Sequence, residues 1–123
     1  MTISCRGIRG ATTSVENSTG AILEATREML EKIVQVNELN LDDIAATFFT
    51  TTEDLNAEFP AVGARQLGWE NVPLMCGHEI RKPDGLPSCI RVMILVNTAK
   101  TPQQIEHVYL RGAVGLRSGE ISN

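Results

Sequence analysis

IRVMILVNT, residues 90–98, is aliphatic or β-branched at almost every position and is interrupted chiefly by Arg91. Apolar residues on both faces of so short a run predict a central strand. A guanidinium inside it has to be desolvated and partnered. No acid stands nearby in sequence to do this, so either Glu79 or a bound anion fits the need. The run falls far short of the roughly 20 apolar residues of a membrane span, and no transmembrane helix is expected.

Outward from that strand, residues 3–13 form a second strand candidate, carrying Arg6 and Arg9 between glycines. From Ile22 onward, Ile22, Leu23, Met29, Leu30, Ile33 and Val36 recur at helical spacing. Asn17 or Ser18 can cap this helix, Glu28 stands four residues before Lys32, and Glu24, Glu28 and Glu31 make its solvated face. Asn40 caps a single turn, and ATFFTTT (residues 46–52) is β-branched and aromatic enough for a strand. Residues 59–67 suit a short helix, with Pro60 in its first turn and Gly68 just past its end, delivering Arg65. Residues 72–76 predict a further strand, residues 77–88 a loop, TPQQ (residues 101–104) a capped short helix, and residues 108–117 a last strand and tail. The expectation is an α+β fold, a five-stranded sheet with one long helix and short ones, in a single domain over residues 1–123. One long helix covers one sheet face, so a second copy of the chain is expected on the other, as a homo-oligomer.

The formal net charge of −4 disfavours a nucleic-acid partner, which needs a basic surface. The charge is unevenly spread: residues 16–58 sum to −8 and the remainder to +4. Eight of the eleven cations are arginine, the residue suited to bidentate capture of carboxylates, so a small anionic substrate fits better. Cys5, Cys76 and Cys89 cannot all pair within one chain and read as free thiols; the N-terminus has no apolar signal segment, and a cytoplasmic location is expected.

Standard catalytic apparatus is missing from the sequence. His78 and His107 sit near no recognisable nucleophile signature. Cys76-Gly77-His78-Glu79 is the one cluster of metal-ligating types and lacks a second half at zinc-like spacing. The glycines match neither phosphate-loop pattern. What remains is Arg9, Arg65, Arg91 and Arg117 in awkward places, with Tyr109 and the isolated Glu79; a surface salt bridge accounts equally well for each arginine taken singly. Cys76 and Phe59 can be plain core residues.

Taken together these residues resemble the monofunctional, trimeric chorismate mutase family, in which three chains form a pseudo-α/β-barrel. The resemblance rests on RGIRGATT (residues 6–13), FPA followed by Arg65, GW with VPLMC and Glu79 (residues 68–79), CIRVM (residues 89–93), and HVYL followed by AVGLR (residues 107–117). It implies the Claisen rearrangement of chorismate to prephenate in aromatic amino-acid biosynthesis, a unimolecular step needing no nucleophile, proton transfer, metal or other cofactor. Catalysis then comes from holding the dianion in its compact conformer and stabilising charge on the breaking ether oxygen. The resemblance assigns Arg91 to that oxygen, Arg9 and Tyr109 to the enolpyruvyl carboxylate, and Glu79 and Cys76 to the ring hydroxyl. It makes Phe59 and Leu116 apolar walls, puts Arg65 and Arg117 near the ring carboxylate and the mouth, and implies sites between subunits.

Two positions depart from the family pattern: Val62 stands where a lysine is common, and Met75 where a small hydroxyl residue precedes the cysteine. Val62 removes a peripheral cation; Met75 is left with backbone contacts to substrate. Two rivals share the topology. A trimeric small-carboxylate-binding regulatory module predicts an Arg91 needed for binding alone, and an imine-deaminase type of trimer predicts no use for Glu79 beside Cys76.

Overall fold

The computed structural model describes residues 2–118, with Arg117 and Ser118 described by their backbone alone; the polar tail after them lies outside the described residues. Its elements are β1 (Ser4–Thr13), α1 (Thr19–Asn37), β2 (Ile44–Thr51), α2 (Pro60–Gln66), β3 (Leu74–His78), β4 (Cys89–Thr98), β5 (Val108–Tyr109) and α3 (Val114–Ser118). Single 3-10 turns occur at Leu41–Asp43, Pro102–Gln104 and Arg111–Ala113. The strands form one sheet in the order β3-β2-β4-β1-β5. β4 lies antiparallel between β1 and β2, while β3 and β5 run parallel to their neighbours at the edges, so the sheet is mixed and the class α+β, as the sequence pattern predicts.

Local chemistry sets most boundaries. Ser18 caps α1 by accepting from the Ala21 amide at 3.2 Å. Asn17, the alternative cap, instead takes the amides of Asn56 and Ala57. At the far end Glu38 adopts a left-handed conformation, and the Leu39 amide reaches back to the Val34 carbonyl at 3.1 Å. β3 begins just after Pro73, which has no amide to give a ladder; its carbonyl still accepts from the Thr47 amide. Gly68 closes α2 with φ of 88°, a conformation that favours glycine.

Two expectations need correction. Glu28 pairs with Arg111 at 3.0 Å rather than with Lys32, because the C-terminal segment folds back over α1. Only Val108 and Tyr109 of the predicted last strand pair with β1. Arg111 has φ of 51°, which no strand sustains, and the chain turns there into α3.

Both α1 and α2 lie on one face of the sheet. Alternation sends Ile90, Val92, Ile94 and Val96 into the core with Ile8, Met29, Leu30, Ile33 and Phe49. Packing is tight at Gly10, where a Cβ would stand 2.7 Å from Ile33 Cδ1 and 2.9 Å from Val92 Cγ1. The opposite face leaves Phe48, Met75 and Met93 solvent-exposed in a single chain. No described helix is long and apolar enough to cross a membrane.

Thr47 is buried in this core and its hydroxyl has no hydrogen-bond partner. Valine keeps the shape and removes the unsatisfied group. Thr47→Val is therefore expected to stabilise by about 1 kcal/mol, raising Tm by about 3 °C. A lower Tm on thermal unfolding contradicts this.

Candidate active site

The sheet register assembles the site. On the open face Tyr109 pairs with Ala11, Ala11 with Arg91, and Arg91 with Thr50, so one transverse rung crosses β5, β1, β4 and β2. The next rung holds Arg9, Met93, Phe48 and Met75. Strands stand about 4.8 Å apart, so Tyr109 and Arg91 flank Ala11, which is itself buried with Tyr109 and Leu116 packed against it. A cleft of about 190 Å³ results, lined by Arg9, Phe48, Thr50, Glu79, Arg91, Met93 and Tyr109.

Glu79 follows β3 directly, and its amide is held by the Thr51 carbonyl at 2.8 Å. From there its carboxylate reaches Arg91 Nη1 at 3.2 Å and accepts a hydrogen bond from the Thr50 hydroxyl. Glu79 is thus the partner that the buried-strand argument asked for. The guanidinium is less enclosed than that argument expects, with 35% of the Arg91 side chain exposed, because it lies on the uncovered face. A second cleft of about 470 Å³ adjoins this pair on its other side, under the loop that carries Arg81, Lys82 and Leu86.

Other candidates lie elsewhere in the chain. Phe59 and Cys76 line a separate hollow of about 280 Å³ with Leu55, Pro60 and His78. Cys76 is paired with Phe49, on the core side of the sheet, and does not meet Glu79 within one chain. Met75 is on the open face at the edge, beside Phe48. Arg65 is committed to backbone: one guanidinium nitrogen donates to the carbonyls of Trp69, Glu70 (3.1 Å) and Val72 (3.0 Å). Leu116 packs with Tyr109 against Ala11, Cys89 and Ala113. The Arg117 side chain lies outside the described residues. Burial raises the Cys76 thiol above its ordinary value, and pushes Cys89 up to about 11 despite the opposing charge of Arg91. Both are protonated at neutral pH, so neither supplies a thiolate nucleophile.

The sequence profile of chorismate mutase type I matches residues 5–119. The chain belongs to that family. It is 48% identical over 113 residues to the chorismate mutase AroH of Thermus thermophilus, covering 91% of this chain and 93% of the relative. It is 44% identical over 113 residues to chorismate mutase AroH of Bacillus subtilis, covering 91% and 89%. The solved chorismate mutase from Clostridium thermocellum superposes with a TM-score of 0.87 at 47% identity, over 88% of this chain and 96% of that one. Within this chorismate mutase fold, sequence reasoning missed Thr50, Phe48 and Met93. Alternation in ATFFTTT already puts Phe48 and Thr50 on one face; that this face meets Arg91 is a matter of register, which carries no local signal.

Proposed function

We propose that the chain is a chorismate mutase that converts chorismate to prephenate by electrostatic stabilisation and conformational restriction. The observation that carries this reading is that Arg91, held by Glu79, shares an open rung with Tyr109, with Arg9 one rung away. Such a cleft offers a dianion two cations, Arg91 anchored on Glu79 and Arg9 beside it, and a phenol. In the Claisen step the ether C–O bond breaks as a C–C bond forms within one molecule, and negative charge grows on the ether oxygen. Arg91, already oriented by Glu79 and Thr50, is the donor for that charge. Arg9 and Tyr109 hold the enolpyruvyl carboxylate, which keeps the two reacting ends together.

The reading extends to a homotrimer with the site between subunits. The cleft at Arg91 is open on the uncovered sheet face, while Phe59, 67% exposed, and Cys76 form an apolar hollow elsewhere on the same chain. Each is half of a pocket, and a neighbouring copy brings the second half to the first. Phe59 then supplies a wall and Cys76 a neutral contact to the ring hydroxyl, opposite Glu79. Burying Phe48, Met75 and Met93 drives this association. Leu116 supplies the other apolar wall, and Arg65 serves the mouth through the loop that its guanidinium ties down.

The test is the loss of chorismate's ultraviolet absorbance on adding purified protein, with prephenate identified as product. Binding without turnover favours a regulatory module; indifference to chorismate overturns the reading. Because Val62 leaves the pocket mouth without a peripheral cation, Val62→Lys is expected to lower KM about threefold with kcat within about twofold. A change confined to kcat contradicts that placement.

A further inference from the structure

β5 pairs with β1 through only two residues, Gly10 with Val108 and Ala11 with Tyr109, yet it carries Tyr109 and faces Arg9. Side chains extend this short ladder in both directions. Beyond its start, the Arg9 amide donates to Nδ1 of His107 at 3.0 Å. At its end the Leu110 amide donates to the Ala11 carbonyl at 2.9 Å. Beyond its end, Arg111 donates to the Thr13 carbonyl at 3.3 Å and the Gly112 amide to the Thr13 hydroxyl at 3.1 Å. The residue before His107 is pinned as well: buried Asn37 exchanges two hydrogen bonds of 2.8 Å with the backbone of Glu106.

We propose that His107 is a positioning residue, whose Nδ1 holds the Arg9 backbone and thereby sets the spacing between the Arg9 and Tyr109 side chains. The proposal rests on the chorismate mutase reading for its kinetic consequence. Arg9 and Tyr109 share one cleft but stand on different strands, so their separation is only as fixed as the β1–β5 seam. Arg91 sits on β4, which is paired on both sides over most of its length, and does not depend on that seam. Losing the His107 bond therefore weakens substrate binding and spares the step at the ether oxygen. Nδ1 accepts, so the neutral ring carries its proton on Nε2.

Geometry supplies a discriminating pair of variants. Asparagine places its Oδ1 on Cγ, where histidine has Nδ1; glutamine places its oxygen one bond further out. His107→Asn is expected to keep KM and kcat within about twofold of the parent, while His107→Gln raises KM about fivefold with kcat little changed, the effect of one lost hydrogen bond. Amide exchange at Arg9, followed by NMR in the full-length protein, is expected to quicken with glutamine and not with asparagine. Equal exchange and equal KM in the two variants, or a loss confined to kcat, overturns the proposal. A parent protein with no chorismate turnover overturns the functional reading instead, and the exchange measurement still decides whether His107 holds Arg9.

Discussion

Arg91→Ala is expected to lower kcat by at least about a hundredfold while the protein remains folded, since losing one preorganised donor to a developing oxyanion costs roughly 3 kcal/mol. Two effects combine. The donor at the ether oxygen disappears, and Glu79 loses its cation while Thr50 continues to hold the carboxylate over the cleft, leaving a negative charge facing a dianionic substrate. KM should rise as well, because that repulsion acts on bound chorismate too. Arg91→Lys keeps the charge but not the planar fork, and is expected to fall between the two. Steady-state kinetics on purified variants decide the matter. A drop in kcat of less than tenfold with alanine removes Arg91 from the ether oxygen, and a change in KM alone makes it a binding residue.

The second large effect concerns where the pocket is completed. Phe59→Asp puts a carboxylate into the apolar hollow at a residue already 67% exposed, so folding should survive while a dianion is repelled. Alone, this variant is expected to be nearly inactive, as is Arg91→Ala. Each mixed trimer purified from cells making both, with distinct tags, is expected to contain one undamaged site in three, hence about a third of the parental kcat per chain. The restored site takes its Arg91 cleft from the Phe59→Asp chain and its Phe59 hollow from the other. If one chain supplied the whole pocket, every site in the mixture would carry a defect. Absence of recovered activity in verified mixed trimers therefore overturns the composite site.

Legibility in the sequence followed the range of the interactions involved. β4, α1 with its cap narrowed to Asn17 or Ser18, and α2 between Pro60 and Gly68 are written in local patterns, and all three elements stand where those patterns put them. β5 is different. Its two residues, Val108 and Tyr109, favour a strand, but so short a pair does not fix where the strand ends, and contacts with β1 decide the matter. The Glu28–Lys32 pair failed for a related reason: an i,i+4 pair contributes only about 0.3–0.5 kcal/mol, and Arg111 arrives from far along the chain with a fork that also reaches the Thr13 carbonyl. Among the candidate residues, Arg91 stood out because a cation in an apolar strand is costly, and Glu79 could be named as its partner. Nothing local showed that Thr50 completes the pair, or that Ala11 stands between Arg91 and Tyr109, since both facts depend on how strands distant in sequence are aligned.

The pairing of β1 with β4, which sets Ser4 opposite Thr98, has a consequence for how the chain is made. The middle of the sheet joins two segments far apart in the chain, Ser4–Thr13 and Cys89–Thr98, so loop closure on this scale precedes any reward from sheet formation. At roughly 5–20 residues per second, a nascent β1 waits on the order of ten seconds at the ribosome before its partner emerges. Helix α1, which directly follows β1, is complete well before β4 is made. In the folded chain its Met29 and Ile33 pack over Gly10, so the core side of β1 has a partner whose synthesis does not wait for β4.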